Sequence, residues 1–211
     1  MSSPRLRLLV ATGSTHKLAE LRALLALPAT DIVALADLGL TDDAEEIGQS
    51  FEQNATAKAL WYAARSRLPT LADDSGLEVD ALDGQPGVRT RRFASTDPTD
   101  AQNNAHLLRL LESVAPADRT ARYRCVLAYA EPTAEGGATL CETSVGTFEG
   151  RITAAGARGE GGFGYDPIFE PAEGPVGGRT VAQLSLDEKN RRSHRGRAAR
   201  HMRQLLIARG Y

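Results

Sequence analysis

The stretch Leu71-Ala72-Asp73-Asp74-Ser75-Gly76 does most to decide how this chain folds. It follows an apolar run that begins at Leu68, and it places two adjacent carboxylates, a hydroxyl and a glycine directly after that run. Neighbouring carboxylates repel each other and are costly to remove from water unless a cation lies between them. Such oxygen ligands suit Mg2+ or Mn2+, but Asp, Ser and Gly are also common in solvated turns. The stretch therefore predicts the end of a buried strand, followed by either a metal site or a turn.

The overall composition limits the class of protein. The chain has 211 residues, of which 42% are hydrophobic, and this suits a single domain or two closely joined lobes. Its apolar runs are too short to span a bilayer, and residues 6–11 indicate a first strand rather than a signal peptide. Lys plus Arg number 25 and Asp plus Glu 27, so the net charge is −2, which argues against a dedicated nucleic-acid binder. We expect neither a membrane nor a nucleic acid among the partners.

Cysteine and lysine are both rare. Cys125 and Cys141 lie in strand-like apolar contexts. Two buried thiols in a reducing cytoplasm are the economical interpretation, and a disulfide is the alternative. Lys17, Lys58 and Lys189 are the only lysines in the sequence, against 22 arginines. A chain that otherwise uses Arg retains Lys where a compact ammonium is wanted instead of a planar fork. All three lysines fall in polar, motif-like segments, which makes them candidate site residues.

Hydrophobic periodicity predicts alternating strands and helices. We expect strands over residues 6–11, 32–36, 68–72, 77–81, 122–130 and 138–148, and helices over residues 18–27, 51–67, 99–113 and 186–209. The last two strands form a predicted antiparallel pair, and Gly-rich loops are expected over residues 156–164 and 171–179. This alternation predicts an α/β fold with a mixed β-sheet.

The first strand leads into a polar loop, Thr12-Gly13-Ser14-Thr15-His16-Lys17, and then into a helix. Gly13 permits a tight turn, the hydroxyls are donors, and a helix N-terminus offers unpaired N–H groups that suit an anion. Lys17 lies in the first helical turn, within reach of the same anion. The loop is not a Walker A motif, and an ordinary capped helix with an exposed lysine explains it equally well.

Two further groups of polar residues precede the Asp-Asp stretch. Glu45 and Glu46 lie in an acidic loop. Exposed acidic loops are common, so these residues point to a site only if the fold brings one of them beside Asp73-Asp74. Asn54 and Lys58 are four residues apart on a predicted helix and therefore share a face. That face lies either toward a cleft or toward solvent.

The run Gly159-Glu160-Gly161-Gly162-Phe163-Gly164 matches the letters of a dinucleotide-binding fingerprint. We reject that interpretation because Tyr165-Asp166-Pro167 blocks the helix that the fingerprint requires. A loop that presents Phe163 to stack on a base, with Asp166 accepting N–H bonds from its edge, fits better. The alternative is a Gly-rich turn with Phe163 packed inside.

The C-terminal segment from Lys189 to Arg203 is strongly basic. A solvated, charged helix is the usual explanation, and a nucleic-acid patch or a cationic wall for a polyphosphate are the alternatives. Ser193-His194-Arg195-Gly196 is its unusual part, because glycine near a helix start is unfavourable without a reason.

Six segments together make the chain resemble the inosine triphosphate pyrophosphatase family, the non-standard purine NTP (dITP/XTP) pyrophosphatases. They are residues 12–17, 50–55 with Lys58, 72–77, 84–88, 161–169, and Glu188-Lys189-Asn190 followed by residues 193–196. They occur in the order of the family and cover nearly the whole chain. Ser14 stands where the family usually has Asn, Arg89-Thr90-Arg91 replaces its usual Tyr-Ser-Ala, and Gln183 stands where Glu is common.

The resemblance implies one nucleoside-triphosphate pyrophosphatase domain over residues 1–211. Its expected fold is an elongated mixed β-sheet flanked by helices, with two lobes and a central substrate cleft. It also implies a cytoplasmic homodimer that uses Mg2+ to hydrolyse dITP, ITP and XTP to the monophosphate and pyrophosphate. A pyrophosphatase for other modified nucleotides, or a non-enzymatic nucleotide- or RNA-binding module, are the alternatives.

On this basis each motif receives a hypothetical role. Asp74 is the catalytic general base and, with Glu45, the ligand of Mg2+. The remaining candidates bind substrate. For the phosphates they are Thr12, Gly13, Ser14, Thr15, His16, Lys17, Lys58 and Ser75, and for the purine they are Phe163, Gly164, Tyr165, Asp166, Lys189, His194 and Arg195. Donors facing the 6-keto oxygen would reject the 6-amino group of adenine.

Overall fold

The structure is a computed structural model that describes residues 5–42, 44–45, 47–175 and 177–211, so Glu46 lies outside the described residues. Within this part of the chain there are six strands and five α-helices. The strands are β1 (Leu6–Ala11), β2 (Thr30–Ala34), β3 (Thr70–Val79), β4 (Thr120–Pro132), β5 (Ala138–Ile152) and β6 (Phe169–Pro171). The helices are α1 (Thr15–Leu25), α2 (Phe51–Ser66), α3 (Asp100–Leu110), α4 (Leu186–Arg192) and α5 (His194–Ala208).

The strands form one six-stranded sheet in the order β2-β1-β3-β4-β5-β6. β1 pairs in parallel with both β2 and β3, whereas β5 and β6 are antiparallel, so the predicted α/β fold with a mixed sheet flanked by helices is confirmed. The register pairs Ala11 with Ala72. Because parallel strands share their carboxyl edge, the loop that begins at Thr12 starts level with Asp73.

β3 corrects the prediction for the Asp-Asp stretch. The strand does not end at Asp73 but continues without interruption to Val79, joining two segments that were predicted separately. Asp73 and Asp74 are 3% and 8% exposed, so neither belongs to a solvated turn. Successive side chains of a strand point to opposite faces, so the two carboxylates occupy different surroundings and each is compensated there.

The chain forms two compact units. The first comprises the described residues of Met1–Asp74 with Cys125–Gly146 and Arg195–Tyr211, and the second comprises Ser75–Arg124 and Thr147–His194. In the first unit α1 and α5 pack against β1, β3 and β4 around a core that includes Leu8, Val10, Leu21, Leu71, Leu127 and Met202. The second unit has its own core, which includes Leu77, Val79, Leu107, Tyr123, Phe148 and Phe169. Each unit therefore buries its own apolar residues and holds its own set of polar side chains.

The C-terminal region also differs from its prediction. The single helix expected over residues 186–209 is broken at Ser193, whose extended backbone (φ −62°, ψ 156°) separates α4 from α5. Ser193, His194 and Arg195 are all buried at this break, so this part of the basic segment is not a solvated helix face. No described helix is both long and apolar enough to cross a membrane.

Candidate active site

The first unit holds a group of buried and half-buried charges around the middle of β3, here called the carboxylate cluster: Asp73, Asp74, Lys17, Lys58 and Arg195. Parallel pairing of β1 and β3 places the start of α1 next to Asp73. Ser50 caps α2 by accepting the backbone N–H of Gln53, and this fixes the helix that carries Lys58. The cluster therefore follows from the sheet register and from two helix starts.

Asp74 accepts hydrogen bonds on both carboxylate oxygens. Lys58 Nζ donates to Oδ1 over 3.1 Å, and Asn54 Nδ2 donates to Oδ2 over 3.1 Å. The Gly48 N–H donates to Asn54 Oδ1 over 2.9 Å, which orients the amide toward Asp74. Removal from water raises the pKa of Asp74 above its usual value, although the Lys58 and Lys17 ammonium groups act in the opposite direction. The shared helix face of Asn54 and Lys58 is thus turned toward a carboxylate and not toward solvent.

Asp73 has a different set of partners. Lys17 Nζ donates to Oδ1, while Arg195 Nε donates to Oδ2 over 3.0 Å and the Cys125 thiol to the same oxygen over 3.2 Å. Burial alone would raise the pKa of Asp73, but attraction to Arg195 and Lys17 outweighs it and holds the pKa well below the usual value. Glu20 Oε2 accepts from Arg195 Nη1 over 2.5 Å. Asp73 is therefore ionised and engaged by cations at neutral pH.

The Arg195 guanidinium pairs with two buried carboxylates, those of Asp73 and Glu20. Its side chain is 1% exposed, held between Asp73 and Glu20. Its predicted contact with a purine 6-keto oxygen stays a prediction. Burial would lower the pKa of the Arg195 guanidinium, but the nearby Asp73 carboxylate more than reverses this effect and the pKa is raised. The residue remains a cation.

The loop after β1 shows the features of an ordinary helix cap. Ser14 Oγ accepts the Lys17 backbone N–H over 3.3 Å, and the Ser14 N–H donates to Thr12 Oγ1 over 3.2 Å. Gly13, Thr15 and His16 are exposed. The helix cap at Ser14 is thus present, and binding of a phosphate at the same loop stays a prediction. Lys17 differs from the expectation of an exposed lysine, because its side chain is 20% exposed and paired with Asp73.

The second unit holds another cluster, here called the aromatic cluster: Phe163, Asp166, Lys189, Tyr123 and His194. Lys189 Nζ donates to Asp166 Oδ2 over 2.8 Å and lies 4.5 Å from the centre of the Phe163 ring. Tyr123 donates to Asp166 Oδ1 over 3.2 Å, and its ring stacks on that of His194 with 4.8 Å between centroids. Asp166 is 3% exposed, and hydrogen-bond donors surround its buried carboxylate. A cation beside an aromatic face and a buried carboxylate suit recognition of a flat heterocycle.

Glycine has a specific purpose in the loop before Asp166. Gly162 has a φ of +73°, and a Cβ there would lie 2.0 Å from Asp166 Oδ2. The Phe163 N–H donates to that same oxygen over 3.0 Å, so the tight approach delivers the aromatic residue to the carboxylate. A 3-10 turn, Asp166–Ile168, follows in place of a helix, in agreement with the rejection of a dinucleotide fingerprint.

The side chains around Asp74 supply only some of the oxygen ligands that a divalent cation needs. No group of three or more His, Cys, Asp or Glu side chains in the described ranges is arranged to hold a metal ion. Glu45 is exposed in the segment between β2 and α2. Mg2+ is commonly bound through one or two carboxylates, with water and substrate phosphates completing its shell. The residues present therefore fit an Mg2+ ion that arrives with phosphate oxygens and not a metal held by protein alone.

Several contributors were not predicted from the sequence. Glu20 and Cys125 support Asp73, and Tyr123 supports Asp166. Glu20 gives a faint signal, because it lies three residues after Lys17 on α1 and next to the buried Leu21. A carboxylate on the apolar side of a helix is unusual without a partner. Cys125 and Tyr123 give no such signal, because both fit the apolar pattern of a core strand.

The mixed sheet and the carboxylate cluster together define an α/β protein whose site combines a buried carboxylate with ammonium groups, as enzymes that act on phosphate anhydrides do. A model of the Ham1 family matches residues 8–205, and the chain belongs to the Ham1 family. The resemblance drawn from the motifs is thereby confirmed.

Individual relatives match nearly the whole chain. A dITP/XTP pyrophosphatase from Thioalkalivibrio sulfidiphilus is 45% identical over 204 residues, which cover 97% of this chain and 100% of that protein. One from Geobacter sulfurreducens is 47% identical over 193 residues, covering 91% and 92%. The structure of a Ham1 protein from Coxiella burnetii has a TM-score of 0.84 at 37% identity, covering 96% of this chain and 99% of that one.

Proposed function

We propose that this protein hydrolyses non-standard purine nucleoside triphosphates, namely dITP, ITP and XTP, to the nucleoside monophosphate and pyrophosphate. The observation that carries this proposal is the buried Asp74 carboxylate, held by Lys58 and Asn54 next to a second carboxylate paired with Lys17. The relatives at 45% and 47% identity bear the name dITP/XTP pyrophosphatase. Removal of deaminated purine nucleotides from the nucleotide pool is the corresponding role.

In this proposal Asp74 is the general base. A water molecule attacks the α-phosphorus while its proton passes to a carboxylate oxygen of Asp74, and the bond from the α-phosphorus to the bridging oxygen breaks, releasing pyrophosphate. The raised pKa of Asp74 makes its carboxylate a stronger base than one in water. Asn54 and Lys58 hold the carboxylate in place, so little reorganisation is needed during the reaction.

The reaction also requires cationic groups, because the triphosphate and its pyrophosphate leaving group carry several negative charges. Lys17 and Lys58 bring ammonium groups to the carboxylate cluster, and the N-terminus of α1 adds backbone N–H groups. The hydroxyls of Thr12, Ser14 and Ser75 are further donors in this proposal. Positioning and electrostatic stabilisation generally supply most of the rate in phosphoryl transfer.

We include Mg2+ in the proposal as a companion of the substrate. Asp74 and Glu45 are the residues that would hold it, and when bound it would neutralise charge on the phosphate oxygens. The raised pKa of Asp74 supports this assignment. It means that burial destabilises the ionised carboxylate, and a nearby cation would stabilise that form.

The aromatic cluster receives the purine in this proposal. Phe163 stacks on the base, Lys189 and His194 face its 6-keto oxygen, and Asp166 organises the cluster through Lys189 and Tyr123. The 6-amino group of adenine would place its own N–H donors opposite the donors of Lys189 and His194. Polar groups left unpaired in a buried site lower affinity strongly. We further propose that the protein acts in the cytoplasm as a homodimer.

One assay tests the proposal. Pyrophosphate release is measured for a panel of nucleoside triphosphates, with and without Mg2+, for the wild type and for Asp74→Asn. We expect release from dITP, ITP and XTP that depends on Mg2+, with loss of turnover but retained nucleotide binding in Asp74→Asn. Asp31→Asn, which changes an exposed aspartate, is the matched control and should keep full activity. Near-normal turnover by Asp74→Asn would rule out the general-base role.

A further inference from the structure

Helix α3 carries three polar side chains on one face. Asp100, Asn103 and Asn104 are spaced at i, i+3 and i+4, so they neighbour one another on the helix surface. Asn103 and Asn104 are only 3% and 6% exposed, although amides on a helix usually face water. Buried amides of this kind normally have hydrogen-bond partners.

The groups that they hold are backbone atoms of two loops. The Gly164 N–H donates to Asp100 Oδ2 over 2.6 Å, and Asn104 Nδ2 donates to the Gly164 carbonyl over 3.1 Å. Asn103 does the same for a second loop, where it donates to the Arg91 carbonyl over 3.0 Å and accepts the Ala94 N–H over 2.9 Å. One helix face therefore fixes both polar groups of Gly164 and brackets the residues between Arg91 and Ala94.

Gly164 is the residue directly after Phe163, and its position decides where the aromatic ring lies. Its φ of +63° lies in the left-handed region, which glycine adopts at little cost, so the hydrogen bonds from α3 and not backbone sterics restrict this residue. On the other side the Phe163 N–H is fixed by Asp166. Tyr165, one residue further on, donates its hydroxyl to the Thr90 carbonyl over 2.7 Å. The backbone on both sides of the ring is thus pinned.

We propose that Asp100 and Asn104 are positioning residues for base recognition, acting through Gly164 to hold the Phe163 ring in its stacking orientation. This inference rests on the proposed function, because it takes Phe163 as the group that stacks on the purine. Stacking of a base far from the reacting phosphorus stabilises bound substrate and transition state equally. Loss of the positioning residues should therefore raise KM and leave kcat nearly unchanged.

The test compares Asp100→Ala and Asn104→Ala with the wild type in dITP hydrolysis. Each substitution removes one hydrogen bond to Gly164, and we expect KM to rise by about 3- to 10-fold, with kcat within about twofold. Asp100→Asn keeps an oxygen acceptor for the Gly164 N–H and should restore KM to near the wild-type value. Asp97→Ala, an exposed acidic residue before α3, is the control and should leave both constants unchanged.

Two further measurements separate positioning from a general structural role. In a Phe163→Ala background, Asp100→Ala should add almost no further increase in KM, because the group that it positions is gone. Amide hydrogen exchange of residues 159–165 should be faster in Asp100→Ala than in the wild type, without a change in the core strands. Additive KM effects, a fall in kcat alone or unchanged loop exchange would each overturn the inference. If the wild type releases no pyrophosphate from any nucleotide, the proposed function fails, and loop exchange alone then decides whether Asp100 and Asn104 hold the loop.

Discussion

Replacement of Asp73 by asparagine provides the most demanding check on the charge arrangement in the first unit. The Asp73 side chain is 0% exposed and accepts from Lys17 and Arg195. The amide in Asp73→Asn has the same shape but no charge. Arg195 then keeps Glu20 as a paired anion, and Lys17 keeps only its weaker attraction to Asp74. Arg195 cannot lose its proton and is 1% exposed, so it cannot escape into water without rearrangement of α5.

The magnitude follows from this burial. Removal of one partner from a buried ion pair generally costs about 3–5 kcal/mol, because an uncompensated charge remains in the interior. For a chain of this size, 1 kcal/mol corresponds to roughly 2–4 °C in Tm, so we expect a fall of about 6–20 °C. The pKa of Asp73 is lowered in the folded state, so its contribution is complete above the unfolded-state pKa. The deficit should therefore persist at neutral pH and shrink only in acid, as the pH falls through the lowered pKa of the folded wild type.

Chemical denaturation followed by circular dichroism measures the effect for the wild type, Asp73→Asn and a matched variant, Asp31→Asn. Asp31 pairs with Arg5 over 2.7 Å, but both side chains are more than half exposed, at 56% and 54%. Exposed pairs contribute only about 0–1 kcal/mol, so the same chemical change should have little effect there. If both variants lost less than about 1 kcal/mol, the argument that Asp73 compensates buried cations would be refuted.

Three further perturbations give separate checks. Asp74→Asn should raise Tm at pH 7, because the raised pKa of Asp74 means that its ionised form destabilises the fold. This difference in Tm should vanish as pH falls below the unfolded-state pKa, and a lower Tm for the variant at pH 7 would contradict the reasoning. Tyr211→Ala should lower stability by about 1–2 kcal/mol in denaturant titrations, since it removes a 2.9 Å hydroxyl contact and an edge-to-face ring contact with Tyr129; Tyr211→Phe should recover the ring part. Glu170→Gln should cost about 3 kcal/mol, because Glu170 is 2% exposed and pairs with Arg158 over 2.5 Å; an unchanged thermal midpoint would show that the pair is dispensable.

Local sequence patterns predicted those parts of the site that depend on neighbours along the chain. The cap at Ser14 and the shared face of Asn54 and Lys58 follow from helix geometry, and both are present. Arg195 could not be placed in this way, because 122 residues separate it from Asp73. A basic residue in a basic segment looks solvated until the sheet brings a buried carboxylate to it, and that long-range pairing leaves no local signal.

The role of α3 escaped sequence reasoning for a similar reason. Asp100, Asn103 and Asn104 are polar residues on a helix, and such a pattern normally indicates a solvent-facing side. Their partners are backbone atoms of loops outside the helix, and for Asp100 and Asn104 the partner, Gly164, is 60 or more residues away. A backbone N–H or carbonyl is present at every position, so the sequence does not mark which one a side chain will bind.

The uninterrupted course of β3 has a consequence for how the chain reaches its native pairing. A slip of one residue along the strand would exchange the surroundings of Asp73 and Asp74, because side chains alternate between the two faces. The guanidinium of Arg195 would then face Ala72 or Asp74 in a changed position, and Leu71 would lose its place among the apolar residues around α1 and α5. Such a misaligned chain would bury unmatched charge and expose apolar surface at once. The adjacent carboxylates thus specify the strand register. They destabilise slipped registers at the same position where the native register assembles the site.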